Sequence, residues 1–298
     1  MRGLLCAVWI ACATPALATT PACQQPQGQV EHRGAKLSVV VEGAGPPVLM
    51  IPSLGRGPSD FDELARDLVG KGYTAVRYEP RWFGASRGPE RATLDDLAAD
   101  ARAVATASCP DQPVVIIGHA LGNRIARAMA AADPRHTTSI ILLAAGGQVP
   151  IPPEIQQAIS VSAAEGRLPN SERLAALKLA FFAPGQNARS WLTGWNPRAA
   201  ELQARAVTAT ASRDWITAGG VPLFIIQPTR DPVAPVANGE ALIAQYPGPA
   251  VMVTLDHASH AILPEQPDAI SALVAAWLMG ERKAGRLQQI SDEWTVQP

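Results

Sequence analysis

A chain of 298 residues with 47% hydrophobic and 17% charged content can bury a large core, which excludes disorder as its main state. The formal net charge is -1 and no run of lysines and arginines stands out, so neither nucleic acid nor an anionic membrane surface is an expected partner. A small neutral or apolar ligand fits this balance better.

The first residues place Arg2 before the apolar run Leu4 to Ala13, which is too short to span a bilayer, and Ala16-Leu17-Ala18 follows as a small-x-small cleavage site. Residues 1–18 therefore read as a secretory signal peptide, with a buried N-terminal helix as the other reading, and the chain is expected to be secreted or periplasmic. Thr20-Pro21-Ala22 before Cys23 is a poor lipidation signal, and no other apolar run approaches a membrane span. Of four cysteines, Cys6 and Cys12 fall in this leader, leaving Cys23 and Cys109 as either one disulfide or two separate thiols. Two cysteines so far apart do not make a metal site.

Beyond a glutamine-rich stretch, the apolar patterning predicts strands over Lys36 to Glu42 and Val48 to Pro52. A helix is expected next, with Ser59 as N-cap, Asp62 three residues on, and Phe61, Leu64, Ala65 and Leu68 on one face before Gly70 and Gly72. Thr74 to Tyr78 reads as a strand, and Thr93 with Asp96 caps a helix whose inner face is Leu94, Leu97, Ala98, Ala101 and Val104. A strand over Val114 to Ile117, a helix from Leu121 to about Ala132 and a strand over Ser139 to Leu143 complete a βαβ rhythm. Its nearly continuous apolar strands imply a parallel sheet covered on both faces.

From about Gly147 to Gly219 the pattern is helical, bounded by Pro150, Pro152 and Pro153 and by Gly219-Gly220. It holds Phe181, Phe182, Trp191, Trp195 and Trp215, which together suggest a lid with an apolar inner surface, although each alone is explained by core packing. Strands over Val221 to Ile226 and Val251 to Leu255, and helices over Val236 to Tyr246 and Pro267 to Met279, resume the sheet pattern. Residues 281–298 read as a loosely held polar tail. The expected architecture is an α/β, doubly wound, mostly parallel sheet over 19–146 and 220–280 with an inserted helical cap over 147–219.

The chemistry concentrates in three places at strand ends. Val114-Val115-Ile116-Ile117-Gly118-His119-Ala120-Leu121-Gly122-Asn123 is a G-x-S-x-G elbow with alanine where serine is expected. Asp231 follows one later strand and His260 the last, giving the chain order nucleophile, acid, histidine.

On these residues, and on Glu79 to Ser86 and the H-x-x-x-x-E-x-P spacing of His260, Glu265 and Pro267, the chain resembles the α/β-hydrolase family from about Val39 to Met279. The resemblance implies His260 as general base, Asp231 as its orienting acid, and an oxyanion hole from the N–H groups of Leu121 and near Leu54. His257 is the rival base. Pro52-Ser53-Leu54-Gly55-Arg56 departs from the family's His-Gly loop. Gly55-Arg56-Gly57 is no dinucleotide fingerprint, because Asp60 stands where the third glycine belongs.

Ala120 leaves four readings open. The chain is an engineered Ser-to-Ala variant of a serine esterase or lipase; or the alanine is native and the dyad activates water; or Ser53, on the same rim, is the nucleophile; or the protein binds a ligand and turns nothing over. The first three act on, or descend from enzymes acting on, carboxylic esters or related acyl compounds, and none needs a metal or organic cofactor.

Overall fold

The computed structural model describes residues 22–211 and 215–296, so the expected leader, with Cys6 and Cys12, lies outside the described residues. A short hairpin, β1 (Val30–His32) with β2 (Ala35–Leu37), precedes the main sheet. That sheet is built from β3 (Val39–Gly43), β4 (Pro47–Ile51), β5 (Thr74–Tyr78), β6 (Val114–His119), β7 (Thr137–Leu143), β8 (Leu223–Pro228) and β9 (Ala250–Leu255). Among the described residues the order is β3-β5-β4-β6-β7-β8-β9, with β3 antiparallel to β5 and the other neighbours parallel. This is the mostly parallel α/β sheet expected.

The strands form where apolar runs are unbroken, since a sheet covered on both faces has no solvent side to alternate with. All residues of β4, β5 and β8 are buried. One face is covered by α2 (Leu94–Ser108) and α3 (Leu121–Ala132), the other by α1 (Asp62–Gly70) and α9 (Pro267–Leu278). Trp277 of α9 stacks on Phe224 of β8 at 4.9 Å, and its Nε1–H donates to Ser139 Oγ at 3.0 Å.

Between β7 and β8 run α4 (Pro153–Ser162), α5 (Asn170–Ala180) and α6 (Pro197–Thr208), an arrangement consistent with a cap. Phe181, Phe182, Trp191 and Trp195 form a buried aromatic cluster there, with Trp191 and Trp195 edge-on at 5.6 Å. Trp215 does not join them. It is buried in the core on the α3 face, with the Arg127 guanidinium 4.5 Å from its ring centre. The remaining helices are α7 (Val236–Gln245), α8 (Ile262–Glu265) and α10 (Ala284–Trp294).

Three local expectations are corrected. The strand expected over Lys36 to Glu42 is two strands, because the Ser38 N–H donates to Ser86 Oγ at 2.9 Å and the chain passes from the hairpin to the main sheet. Ser59 does not cap α1: Pro58 opens a single 3-10 turn through Phe61, and the α-helix begins at Asp62. The tail is not loose, since α10 buries Leu287 and Ser291, and the Gln288 side chain accepts from the N–H of Thr254 in β9 at 2.9 Å. Thr93 and Asp96 do form the expected reciprocal cap of α2. Cys23 and Cys109 are bonded, with Cα atoms 4.3 Å apart, fastening the described N-terminus to the end of α2. No helix of the described residues is long and apolar enough to cross a membrane.

Candidate functional site

The parallel registers bring the carboxyl ends of five strands to one rim. Ile51 pairs with Gly118, His119 with Leu143, Leu143 with Ile226, and Pro228 with Leu255. The loops after those ends carry Ser53 and Leu54, Ala120 and Leu121, Asp231, and His260.

The β6–α3 turn is tight because both its glycines are needed. A Cβ on Gly118 would stand 2.5 Å from the carbonyl carbon of Gly122, and one on Gly122 would stand 2.1 Å from the Ile51 oxygen. Between them Ala120 is held at φ 50, ψ -107, a conformation costing a non-glycine residue on the order of 1–3 kcal/mol. The Leu121 N–H, at the first position of α3, has no intrahelical acceptor.

His260 is buried, and its Nδ1–H donates to Asp231 Oδ2 at 2.7 Å. The other Asp231 oxygen accepts from the N–H groups of Val233 and Ala234, both at 2.8 Å, which fixes the carboxylate in its loop. His260 Nε2 has no hydrogen-bond partner among the described residues, and the ring lines a cavity of about 400 Å³ shared with Ser53, Leu54, Ala120 and Leu121. Phe181 and Trp195 of the cap wall it, with the Phe181 ring 5.4 Å from that of His260. The Ser53 hydroxyl makes no hydrogen bond among the described residues. The Gly55 N–H is taken by Gln203 Oε1 at 2.7 Å.

Two neighbours tune this centre. Glu265 accepts from the N–H groups of Ala183 in the cap, at 2.6 Å, and Ser259, at 2.7 Å, tying the histidine loop to the cap. Burial pushes its carboxyl up to about 7. His119 is fully buried beside His260, and burial first, then the neighbouring ring, hold it down to about 3, so it is neutral across the physiological range.

The sequence-derived residues Ser53, Leu54, Ala120, Leu121, Asp231 and His260 thus meet at one place. His257 does not join them: its carbonyl accepts from Gln186 at 2.9 Å, its ring stands outside the cavity, and Asp231 is committed to His260. Arg56 is buried against Trp191 and Trp195 and paired with Asp60, with its Nε–H donating to Asp60 Oδ2 at 2.9 Å. A second cavity, of about 460 Å³, is lined by Arg56, Asp60 and Trp191 and by none of Ser53, Ala120, Asp231 and His260. Among the described residues no group of three or more His, Cys, Asp or Glu is placed to hold a metal ion. The sequence reading missed Arg124, which lines the first cavity. The signal was its spacing, one helical turn beyond Ala120.

A family model described as the alpha/beta hydrolase family matches residues 48–273. Among solved structures, an esterase from Exiguobacterium antarcticum superposes with a TM-score of 0.73 at 17% identity, covering 85% of this chain and 100% of that one. A hydrolase from Pseudomonas aeruginosa follows the same path with a TM-score of 0.70 at 22% identity, covering 86% and 98%. An enol-lactonase from Burkholderia xenovorans does so with a TM-score of 0.69 at 20% identity, covering 82% and 97%. These likenesses are of fold. No curated protein matches the chain.

Proposed function

The chain belongs to the alpha/beta hydrolase family, and from that premise we propose that it hydrolyses small carboxylic esters or related acyl compounds by direct attack of water. One observation carries the reading. His260 is oriented by Asp231 through a 2.7 Å hydrogen bond and keeps its Nε2 uncommitted in the cavity where Ala120, at the nucleophile position, offers only a methyl group.

His260 Nε2 takes a proton from water as its oxygen bonds to the acyl carbon, and the carbonyl π pair moves onto oxygen. The N–H groups of Leu121 and Leu54, with the N-terminus of α3, stabilise that oxyanion. Collapse expels the alkoxide, which takes the proton from His260 Nε2 and leaves as the alcohol. Asp231 holds Nδ1–H throughout and stabilises the imidazolium. An oxyanion site and positioning without a covalent nucleophile still supply roughly a thousandfold to ten-thousandfold over water.

A second reading rests on Ser53, whose unpaired hydroxyl lines the same cavity. A fluorophosphonate probe with intact-mass detection separates the two. Water attack gives no adduct and an ester turnover abolished by His260→Ala, whereas a stoichiometric adduct at Ser53 favours the relocated nucleophile. An absence of turnover on ester and lactone panels leaves a binding protein or a dead variant. The leader at residues 1–18 and the Cys23–Cys109 bond support export to an oxidising compartment, secreted or periplasmic.

A further inference from the structure

Among the described residues, one permanently charged side chain lines the cavity beside Ala120 and His260. It is Arg124, four residues past the elbow on α3, and no carboxylate stands among the described residues lining the cavity. Among the described residues Arg124 makes no hydrogen bond and no ion pair; its contact is with the Trp215 ring, 5.8 Å from the guanidinium. Beneath it Gly147 is bare: a Cβ there would stand 3.5 Å from Arg124 Nε and 3.0 Å from Trp215.

Its neighbour deepens the imbalance. Arg127, one turn further along α3, is fully buried and donates to Asn123 Oδ1 at 2.5 Å and the Gly146 carbonyl at 2.9 Å, with no carboxylate partner among the described residues. Two guanidinium groups therefore face the same Trp215 ring with no anion between them among the described residues, and Arg124 disfavours the charge of Arg127. A partly buried cation is expensive unless paired. Arg127 spends Nε and Nη2 on the backbone and Asn123, and its Nη1 is buried without a partner among the described residues, whereas the guanidinium of Arg124 lines the cavity.

Resting on the hydrolase reading, we infer that the cavity takes an ester carrying a carboxylate, which Arg124 binds while the scissile carbonyl sits at the elbow. Four residues of helix rise about 6 Å, so the two carbonyl carbons of the substrate are separated by roughly three or four carbon atoms. A half-ester of a short dicarboxylic acid has this shape. A planar guanidinium can engage such a carboxylate through two parallel N–H bonds, which a hydroxyl-bearing or purely alkyl chain cannot match.

The test separates binding from turnover by using probes that cannot be hydrolysed. Calorimetric titration compares 5-oxohexanoate, whose ketone imitates the ester carbonyl, with neutral 5-oxohexanamide. The expected preference for the carboxylate is about tenfold or more, lost in Arg124→Gln and largely kept in Arg124→Lys, with thermal melts verifying that each variant is folded. Equal affinities, a preference that survives Arg124→Gln, or no binding of either probe at millimolar concentration overturns the inference. Turnover of neutral p-nitrophenyl hexanoate is read in parallel. Ester hydrolysis without a charge preference sinks only the anion site, and a charge preference without hydrolysis sinks only the hydrolase reading.

Discussion

The Nε2–H of His119 donates to the backbone carbonyl of His260 at 2.8 Å, so the residue preceding the elbow also holds the loop that carries the candidate base. The bond requires a proton on Nε2, burial keeps the ring neutral, and its buried Nδ1 has no partner among the described residues. A histidine unfolds into water with an ordinary value near 6.5, whereas folded His119 titrates near 3. Its contribution to stability is therefore whole above about pH 6.5 and is lost as the pH falls toward 3. Glu265 acts in the opposite sense. Folded, it titrates near 7 against 4.5 unfolded, so its contribution is whole below 4.5 and is lost as the pH rises toward 7. Denaturant unfolding across pH should show its maximum between these limits. His119→Gln should flatten the acid limb and Glu265→Gln the neutral limb, each by on the order of a few kcal/mol at most.

Ala120→Ser should create an acylatable site. The backbone already holds φ 50, ψ -107 with a Cβ in place, so the added hydroxyl brings little new strain. The variant should form a fluorophosphonate adduct at position 120 and gain on the order of a hundredfold or more in ester kcat. A folded, inert variant would show that the remaining groups are not hydrolytic machinery.

Asp231→Asn should keep the loop, because an amide oxygen can still accept from the N–H groups of Val233 and Ala234. Its NH2 would then face His260 Nδ1 and force the proton onto Nε2, the atom that must act as base. Ester kcat should fall by on the order of a hundredfold or more while the melting temperature changes little.

The Cys23–Cys109 bond closes a sequence separation of 86 residues. Chain-entropy reasoning puts its stabilisation at roughly 4–5 kcal/mol before any offset, and native disulfides commonly give about 2–5. Cys109→Ala, or mild reduction, should therefore lower the denaturant midpoint markedly, and the oxidised protein should show no free thiol at either position.

Much of this was legible because it is local. The apolar runs of β4, β6 and β8, the Thr93–Asp96 cap and the glycines at 118 and 122 each follow from short-range sterics or hydrogen bonding, and chain order supplied Asp231 and His260. What escaped was set by tertiary partners. Leu287 and Ile290 are too sparse in a polar tail to announce a helix, yet β9 and α9 give α10 a surface to cover. Ser59 has the chemistry of a cap, but Pro58 directs the chain into a 3-10 turn instead. Whether Cys23 meets Cys109 is a distance, which spacing does not encode. Trp215 has the look of a lid aromatic but belongs to the core, and Arg124 looks like any helix-surface cation until the fold turns it to the cavity.

Direct water attack with His260 as base is read in the early time course of p-nitrophenolate release from a p-nitrophenyl ester by the native chain and by His260→Ala. Release should be linear from the first milliseconds, with no stoichiometric burst, and should fall by on the order of a hundredfold or more in the variant. A burst of one equivalent, a rate indifferent to His260→Ala, or no turnover by the native chain would rule out water attack by this dyad.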